Sequence, residues 1–246
     1  MLYKVSDFVF QPPHGMIGAR RVLLKPNAAY PRRHPVTTSA GTLRAVIDGI
    51  RRVSDADIIL LEASASGEPV RSIYRALGYD FPRVLRLDVR DCNAVEVENP
   101  LPKAFALPTI WVPNIILSCD YLVSVASFKV LAQGGSFSIK NLVSLLPPHK
   151  YSTPTETLEE FILRLGVQNI AADLYFTLPF DLGVVDARMK FFGEDDPVHG
   201  RIEHGGQILI GEPYEVDKEA SALANVSTPY VSLIQAARSA LEVERK

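Results

Sequence analysis

Short apolar runs alternate with stretches of helical periodicity over the first ninety residues of the chain. Arg21–Lys25 (RVLLK) reads as a buried strand that stops at Pro26-Asn27. Leu43, Val46, Ile47 and Ile50 then fall at helical spacing, predicting a helix over 41–53. Asp57–Leu61 (DIILL) is a second buried strand, residues 69–77 a second helix stopped by Gly78, and residues 83–89 a third strand. Strand, helix, strand, helix, strand is the pattern of parallel strands joined by helical crossovers.

The pattern changes after residue 89. Val95 and Val97 alternate with Glu96 and Glu98, and an apolar segment follows around Trp111. Prolines 100, 102, 108 and 113 bound these stretches, which predicts a small β insert around 90–112 and a helical turn over 114–119. Residues 120–127 return to a buried strand. Helices are expected over 155–165, starting from Thr155 without a capping box, and over 168–177. Short strands are expected at 182–185 and 208–210, with a long polar loop over 191–206 between them. The last thirty residues read as one or two helices split near Thr228-Pro229, and weak alternation over 1–10 fits an edge strand. The expected fold is therefore α/β: an open, mostly parallel sheet flanked by helices, with Rossmann-like layering, in a single domain over 1–246.

Composition narrows the function classes. An apolar fraction of 47% and a charged fraction of 22% over 246 residues are those of an ordinary globular protein. A net charge of −2 gives no electrostatic case for nucleic acid or an anionic membrane surface. Two cysteines, Cys92 and Cys119, match no zinc or iron–sulfur ligand set. The N-terminus lacks the apolar core of a signal peptide, and no apolar run reaches membrane-spanning length, so a cytoplasmic protein is expected. GxGxxG, GxxxxGK[ST] and GxSxG are absent, and no cofactor is identified.

Candidate chemistry gathers just after the predicted strand ends. Lys25 and Asn27, Glu62, Lys129 and Asp186 would meet along one sheet edge, where open parallel sheets bind ligands. Around the turn Gln133-Gly134-Gly135-Ser136, backbone amides flanked by Lys129, Ser138, Lys140 and Asn141 suit an anion. Thr37, Thr38 and Ser39 can cap the following helix and also bind an anion at its N-terminus. Arg32, Arg33 and His34 read as a solvated basic loop, or as a lid over an anionic ligand. Glu194, Asp195, Asp196, His199 and His204 could hold a divalent metal, although their spacing fits no standard motif. His199 in its Pro-Val-His-Gly turn suits acid/base work. Asp217 fits a helix cap as well as a site residue.

The order VLLKPN (22–27), Thr37-Thr38, SFK (127–129), SIKNL (138–142), VVDA (184–187), DPVHG (196–200) and EVDKEA (215–220) resembles the family known as domain of unknown function 362. That resemblance implies a cytoplasmic α/β protein with no established common reaction. Many members carry an appended ferredoxin-like segment, a role that two cysteines cannot serve here. Members often show Lys-Thr-His where this chain has Lys129-Val130-Leu131.

The resulting expectation is an enzyme acting on a small carboxylate or phosphate. Lys25, Lys129 and Lys140 would hold the anion, and Asn27, Thr37, Thr38, Ser138 and Asn141 would orient it. Glu62, Asp186 or His199 would serve as acid or base, with isomerisation or proton abstraction beside a carbonyl favoured over hydride transfer. The alternative is a non-catalytic accessory protein holding a ligand or partner. No nucleic-acid or membrane partner is expected, and a homodimer is permitted.

Overall fold

Two adjacent strands set the frame, because both are apolar on both faces and must be covered twice. β2 (Arg21–Pro26) and β3 (Asp57–Glu62) pair in parallel, with every residue after the first buried in β3. The computed structural model describes residues 2–4, 8–65, 67–178, 180–194 and 196–244. Its main sheet adds β1 (Leu2–Lys4), β4 (Val84–Asp88), β7 (Tyr121–Leu131), β9 (Leu182–Phe192) and β10 (Arg201–Gly211), in the order β1-β10-β9-β7-β2-β3-β4. β9, β7, β2, β3 and β4 run parallel, and β10 turns back antiparallel along β9. β8 (Gly134–Ser136) folds back on the end of β7. β5 (Ala94–Glu98) and β6 (Thr109–Pro113) make a separate antiparallel pair at the expected insert.

Strand alternation assigns the covers. Val22, Leu24, Ile58, Leu60 and Val123 pack against α1 (Ala40–Arg51) and α2 (Val70–Leu77). Leu23, Leu61 and Leu122, on the other face, pack against α6 (Val167–Thr177) and a 3-10 helix over Lys140–Leu145. The same cluster draws in α3 (Asn114–Leu117), α4 (Pro148–Tyr151), α5 (Leu158–Leu165) and α8 (Pro229–Glu244) through Ile116, Tyr151, Phe161 and Tyr230. α7 (Pro213–Ala224) covers Ala126, Phe128, Val185 and Leu209 through Val216 and Ala220. Ser39 starts α1 by accepting from the amides of Gly41 and Thr42, and Gly78 ends α2 at φ 74°.

Three sequence expectations change. The strands expected at 120–127, 182–185 and 208–210 are each 11 residues long. Most of the polar loop expected over 191–206 is the end of a β9–β10 hairpin. Its β10 arm carries Arg201, Ile202 and His204 exposed or half-exposed beyond the sheet, so backbone pairing holds it without an apolar face to mark it. A bulge at Gly205-Gly206 lets β10 rejoin register, and a Cβ on Gly205 would lie 2.1 Å from the Ala187 carbonyl. Finally, α5 begins one cap later than expected. Thr157 and Glu160 form a capping box, each side chain bonding the other's backbone amide. Of the expected first strand, Met1 and residues 5–7 lie outside the described residues.

Candidate functional site

Lys25 ends β2 and Glu62 ends the neighbouring β3, so sheet geometry alone brings them side by side. The Lys25 Nζ lies 2.9 Å from Glu62 Oε1, with both side chains sealed from solvent. It also donates to the Pro26 carbonyl at 2.8 Å and to Asn141 Oδ1 at 3.3 Å. Glu62 is equally occupied. Its Oε1 accepts from the Ala63 amide and the Ser144 hydroxyl, and its Oε2 from the Ala28 amide, all within 2.9 Å. Asn141 donates to the Lys25 carbonyl and to Ser124 Oγ. Burial lowers the lysine's pKa and Glu62 works against that. These groups satisfy one another, and together they fasten the 3-10 helix to the sheet.

Ser138 is also held from behind. Its amide and hydroxyl both donate to Asp217 Oδ1, at 2.9 and 2.5 Å, while the Ile139 amide and Tyr230 hydroxyl donate to Oδ2. Burial raises the Asp217 pKa to about 6 against these bonds. Asp217, inside α7, is a clamp on the segment that leads into Lys140.

Lys129 and Lys140 differ from Lys25. β2 stops opposite Val125, so the end of β7 runs on past it and holds Lys129 between Phe191 of β9 and Ser136 of β8. The Lys129 side chain is buried, donates to the Val36 carbonyl at 3.0 Å and lies 5.5 Å from the centre of the Phe191 ring. Lys140 opens the 3-10 helix and makes no hydrogen bond among the described residues. Neither lysine has a carboxylate partner among those residues. Burial lowers both pKa values to about 8, and the charge of Lys140 adds to the effect on Lys129, which places the two ammonium groups within each other's field.

Asp186 stands beside Ser127 in the β7–β9 register, on the α1 face. Its Oδ2 accepts from Thr42 Oγ1 and Arg188 Nη2, each at 2.6 Å, and its Oδ1 from Arg188 Nε at 2.9 Å. Arg188 also donates to the Thr42 hydroxyl. Burial pushes the Asp186 carboxyl up, but Arg188, His34 and Thr42 together bring it below its ordinary value. His34 Nε2 lies 3.8 Å from Asp186 Oδ1. Both ring nitrogens are shielded from solvent without a well-formed hydrogen bond, while the Thr37 backbone lies close enough to act on the ring. Burial lowers the His34 pKa, partly countered by Asp186, which leaves a neutral imidazole at pH 7. Ser127 Oγ is likewise buried and unpartnered.

The loop joining β2 to α1 is pinned by its threonines. Thr38 Oγ1 donates to the Val125 carbonyl at 2.5 Å and accepts from the Asn27 amide at 2.8 Å, and Thr37 donates to the Arg32 carbonyl. The N-cap is Ser39, so Thr37 and Thr38 hold the loop rather than cap the helix. The Asn27 side chain is half-buried and makes no hydrogen bond among the described residues. His34 belongs to this crevice and not to a solvated loop, since the pinned backbone turns it inward over Asp186. Burial and the charges of Glu159 and Asp196 raise the Tyr30 pKa.

Two sequence expectations move away from the crevice. His199 stands at the hairpin tip with a 75% exposed side chain, its Nδ1 2.7 Å from Asp196 Oδ2. Backbone amides of His199 and Val198 hold the Asp196 pKa down to about 2. The bare backbone of the Gly134-Gly135 pair has a packing role. It lets β8 press against residues 227–229, where a Cβ on Gly134 would lie 2.4 Å from the Ser227 carbonyl. Asp195 lies outside the described residues, among which no group of three or more His, Cys, Asp and Glu side chains is placed to hold a metal. No helix among them is long and apolar enough to cross a membrane. Sequence reasoning passed over Arg188 and Ser127. The first is two residues past Asp186 on the same face, a spacing that was readable.

Among solved structures, the chain is similar to the lactate racemase apoprotein from Thermoanaerobacterium thermosaccharolyticum, with a TM-score of 0.53 at 14% identity. The likeness covers 87% of this chain and 52% of that one, so the chain spans about half the neighbour's length. At that identity the likeness is one of fold, and it agrees with the mixed α/β layering described above. No curated protein matches the chain. The family described as a domain of unknown function (DUF362) matches over residues 22–221, a span that contains every crevice residue from Lys25 to Arg188. The chain belongs to that family.

Proposed function

We propose that this protein is a cytoplasmic enzyme acting on a small anionic molecule, a carboxylate or phosphate, bound in the crevice at the carboxyl ends of β2, β7 and β9. One observation carries the reading: buried Lys129 and half-buried Lys140, whose charge acts on Lys129, have no carboxylate partner among the described residues. Burying an uncompensated cation is costly, and a bound anion removes the cost. Lys129 and Lys140 bind and polarise the anion, and Asn27, with its unbonded amide at the crevice wall, orients it.

His34 is the acid/base candidate. Its imidazole is neutral, its nitrogens are unpartnered, and Asp186 with Arg188 stands behind it as an orienting pair. Glu62 serves as the buried counterion of Lys25, a support rather than a proton carrier, and His199 is a rim residue. Proton abstraction beside a carbonyl suits a lysine pair and an imidazole. The structural neighbour's name is that of a protein acting on lactate, a small carboxylate, which is compatible with this substrate class.

The test is a thermal-shift screen of small carboxylates and phosphates, repeated on Lys129→Ala and Lys140→Ala. Stabilising compounds should lose their effect in both variants. If every shift survives in both, the anion does not bind at these lysines and the reading fails.

A further inference from the structure

The charges lining the crevice do not cancel. Lys25 is matched by Glu62 at 2.9 Å, and Arg188 by Asp186 at 2.6 Å. Both pairs are internally neutral and hydrogen-bonded to their surroundings. Asp196 and Glu159 are exposed residues of the hairpin tip and of α5. His34 is neutral. Lys129 and Lys140 have no carboxylate partner among the described residues.

Unused hydrogen-bonding capacity lies beside them. Ser127 is on the same face of β7 as Lys129, two residues earlier, and its hydroxyl is buried without a partner. The two ring nitrogens of His34 are also unpartnered, over the Asp186 side of the same crevice. Buried polar atoms ordinarily find partners, and orphans on Ser127, two residues from Lys129, and on His34 are the kind of groups an oxyanion would bond.

We infer that the ligand of this crevice carries a doubly charged oxyanion, of the phosphate monoester or free phosphate type, bridging Lys129 and Lys140. The inference rests on reading the crevice as an anion site and narrows its substrate class. A monocarboxylate neutralises only one of two neighbouring ammonium groups and leaves the other buried beside it. A tetrahedral dianion meets both, and it has oxygens to spare for the Ser127 hydroxyl and for a protonated His34 nitrogen.

The test is a charge series measured by calorimetry on the full chain at pH 7.5, using acetate, sulfate, inorganic phosphate and methyl phosphate. In the unmodified protein the three dianionic probes should bind at least about tenfold more tightly than acetate, since the attraction scales with the product of the charges. In Lys140→Gln that preference should collapse to within about threefold while weak acetate binding persists. Lys140→Arg keeps the charge and should retain the preference, which separates charge matching from a folding defect. Methyl phosphate binding more tightly than inorganic phosphate assigns the site to an ester; equal binding assigns it to the free ion. The inference falls if the unmodified protein shows no dianion preference, or if the preference survives both Lys129→Gln and Lys140→Gln. Acetate binding that depends on Lys129, without a dianion preference, would overturn the inference and leave the anion-site reading standing. Anion affinities untouched in both variants would overturn the reading itself.

Discussion

Two sets of buried lysines stand at the same edge of the sheet, and they are built in opposite ways. Lys25 is enclosed with a carboxylate at 2.9 Å and two further acceptors, and Glu62 has an occupant for each of its oxygens. Lys129 is almost as deeply buried, yet it has one carbonyl and an aromatic face, and its nearest strong charge is another lysine. The first arrangement is self-sufficient and holds the 3-10 helix on the sheet. The second has no counterion among the described residues, which is the feature on which the proposed anion site rests.

Removing one member from each set should break the comparison most sharply. Lys25→Ala leaves Glu62 buried beside an empty space and should cost about 3–5 kcal/mol in a denaturant unfolding experiment. Lys129→Met removes a buried cation without a counterion, so at pH 7 it should not destabilise the fold and should raise its stability by up to about 3 kcal/mol. Equal losses in the two variants would show that Lys129 is also part of a structural pair.

Next in size is a pH effect. Lys129 and Lys140 fall from their ordinary 10.5 to about 8 on folding. Between about pH 8 and 10.5 the unfolded chain therefore binds more protons than the folded one, so the folded state gains stability as pH rises through that window. The gain is up to about 3 kcal/mol for each lysine. The difference in unfolding free energy between the unmodified protein and Lys129→Met/Lys140→Met, measured at pH 8 and pH 10, should shift in that direction. A flat difference would mean that both lysines titrate normally and that the crevice is wet.

Sequence pattern revealed the frame of this contrast more readily than its detail. RVLLK and DIILL read as buried strands, and Lys25 and Glu62 follow from where those runs stop. Proximity to a strand end does not distinguish a satisfied lysine from an unsatisfied one, because the partners come from other segments: Asn141 and Ser144 for the first set, the Val36 carbonyl for the second. His34 was hidden for a different reason. Arg32-Arg33-His34 looks like a solvated basic run, and only the threonine bonds that pin the loop to Val125 and Arg32 turn the imidazole inward. The β9–β10 hairpin escaped notice because its outer arm has no apolar face. The glycine pair was visible, but a close approach to residues 227–229 and an anion-binding turn demand the same bare backbone.

That ambiguity has its own test. Gly135→Ala would place a Cβ 2.3 Å from the Phe137 ring and 2.6 Å from Thr228 Oγ1, and should cost about 1–3 kcal/mol by overpacking. Anion affinity should change little if the anion sits at Lys129 and Lys140, as proposed, and not on the amides of this turn. A variant of normal stability that had lost anion binding would restore the glycine turn as a ligand loop.

The smallest effect probes the imidazole itself. Burial holds the His34 pKa below its ordinary 6.5, the Asp186 charge opposes that shift, and Arg188 reinforces it. Asp186→Asn keeps the shape and removes only the opposing charge, so the His34 pKa should fall further, and only slightly because Arg188 already pairs with Asp186. A proton NMR titration of the His34 ring resonances reads this directly. The direction decides the role. A fall means that Asp186 orients a neutral imidazole whose free nitrogens face the crevice, the state an acid/base residue needs before substrate arrives. No change would mean that Arg188 screens Asp186 completely, leaving His34 positioned by the pinned loop alone and the Asp186–Arg188 pair as a fastening of β9 to α1 through Thr42.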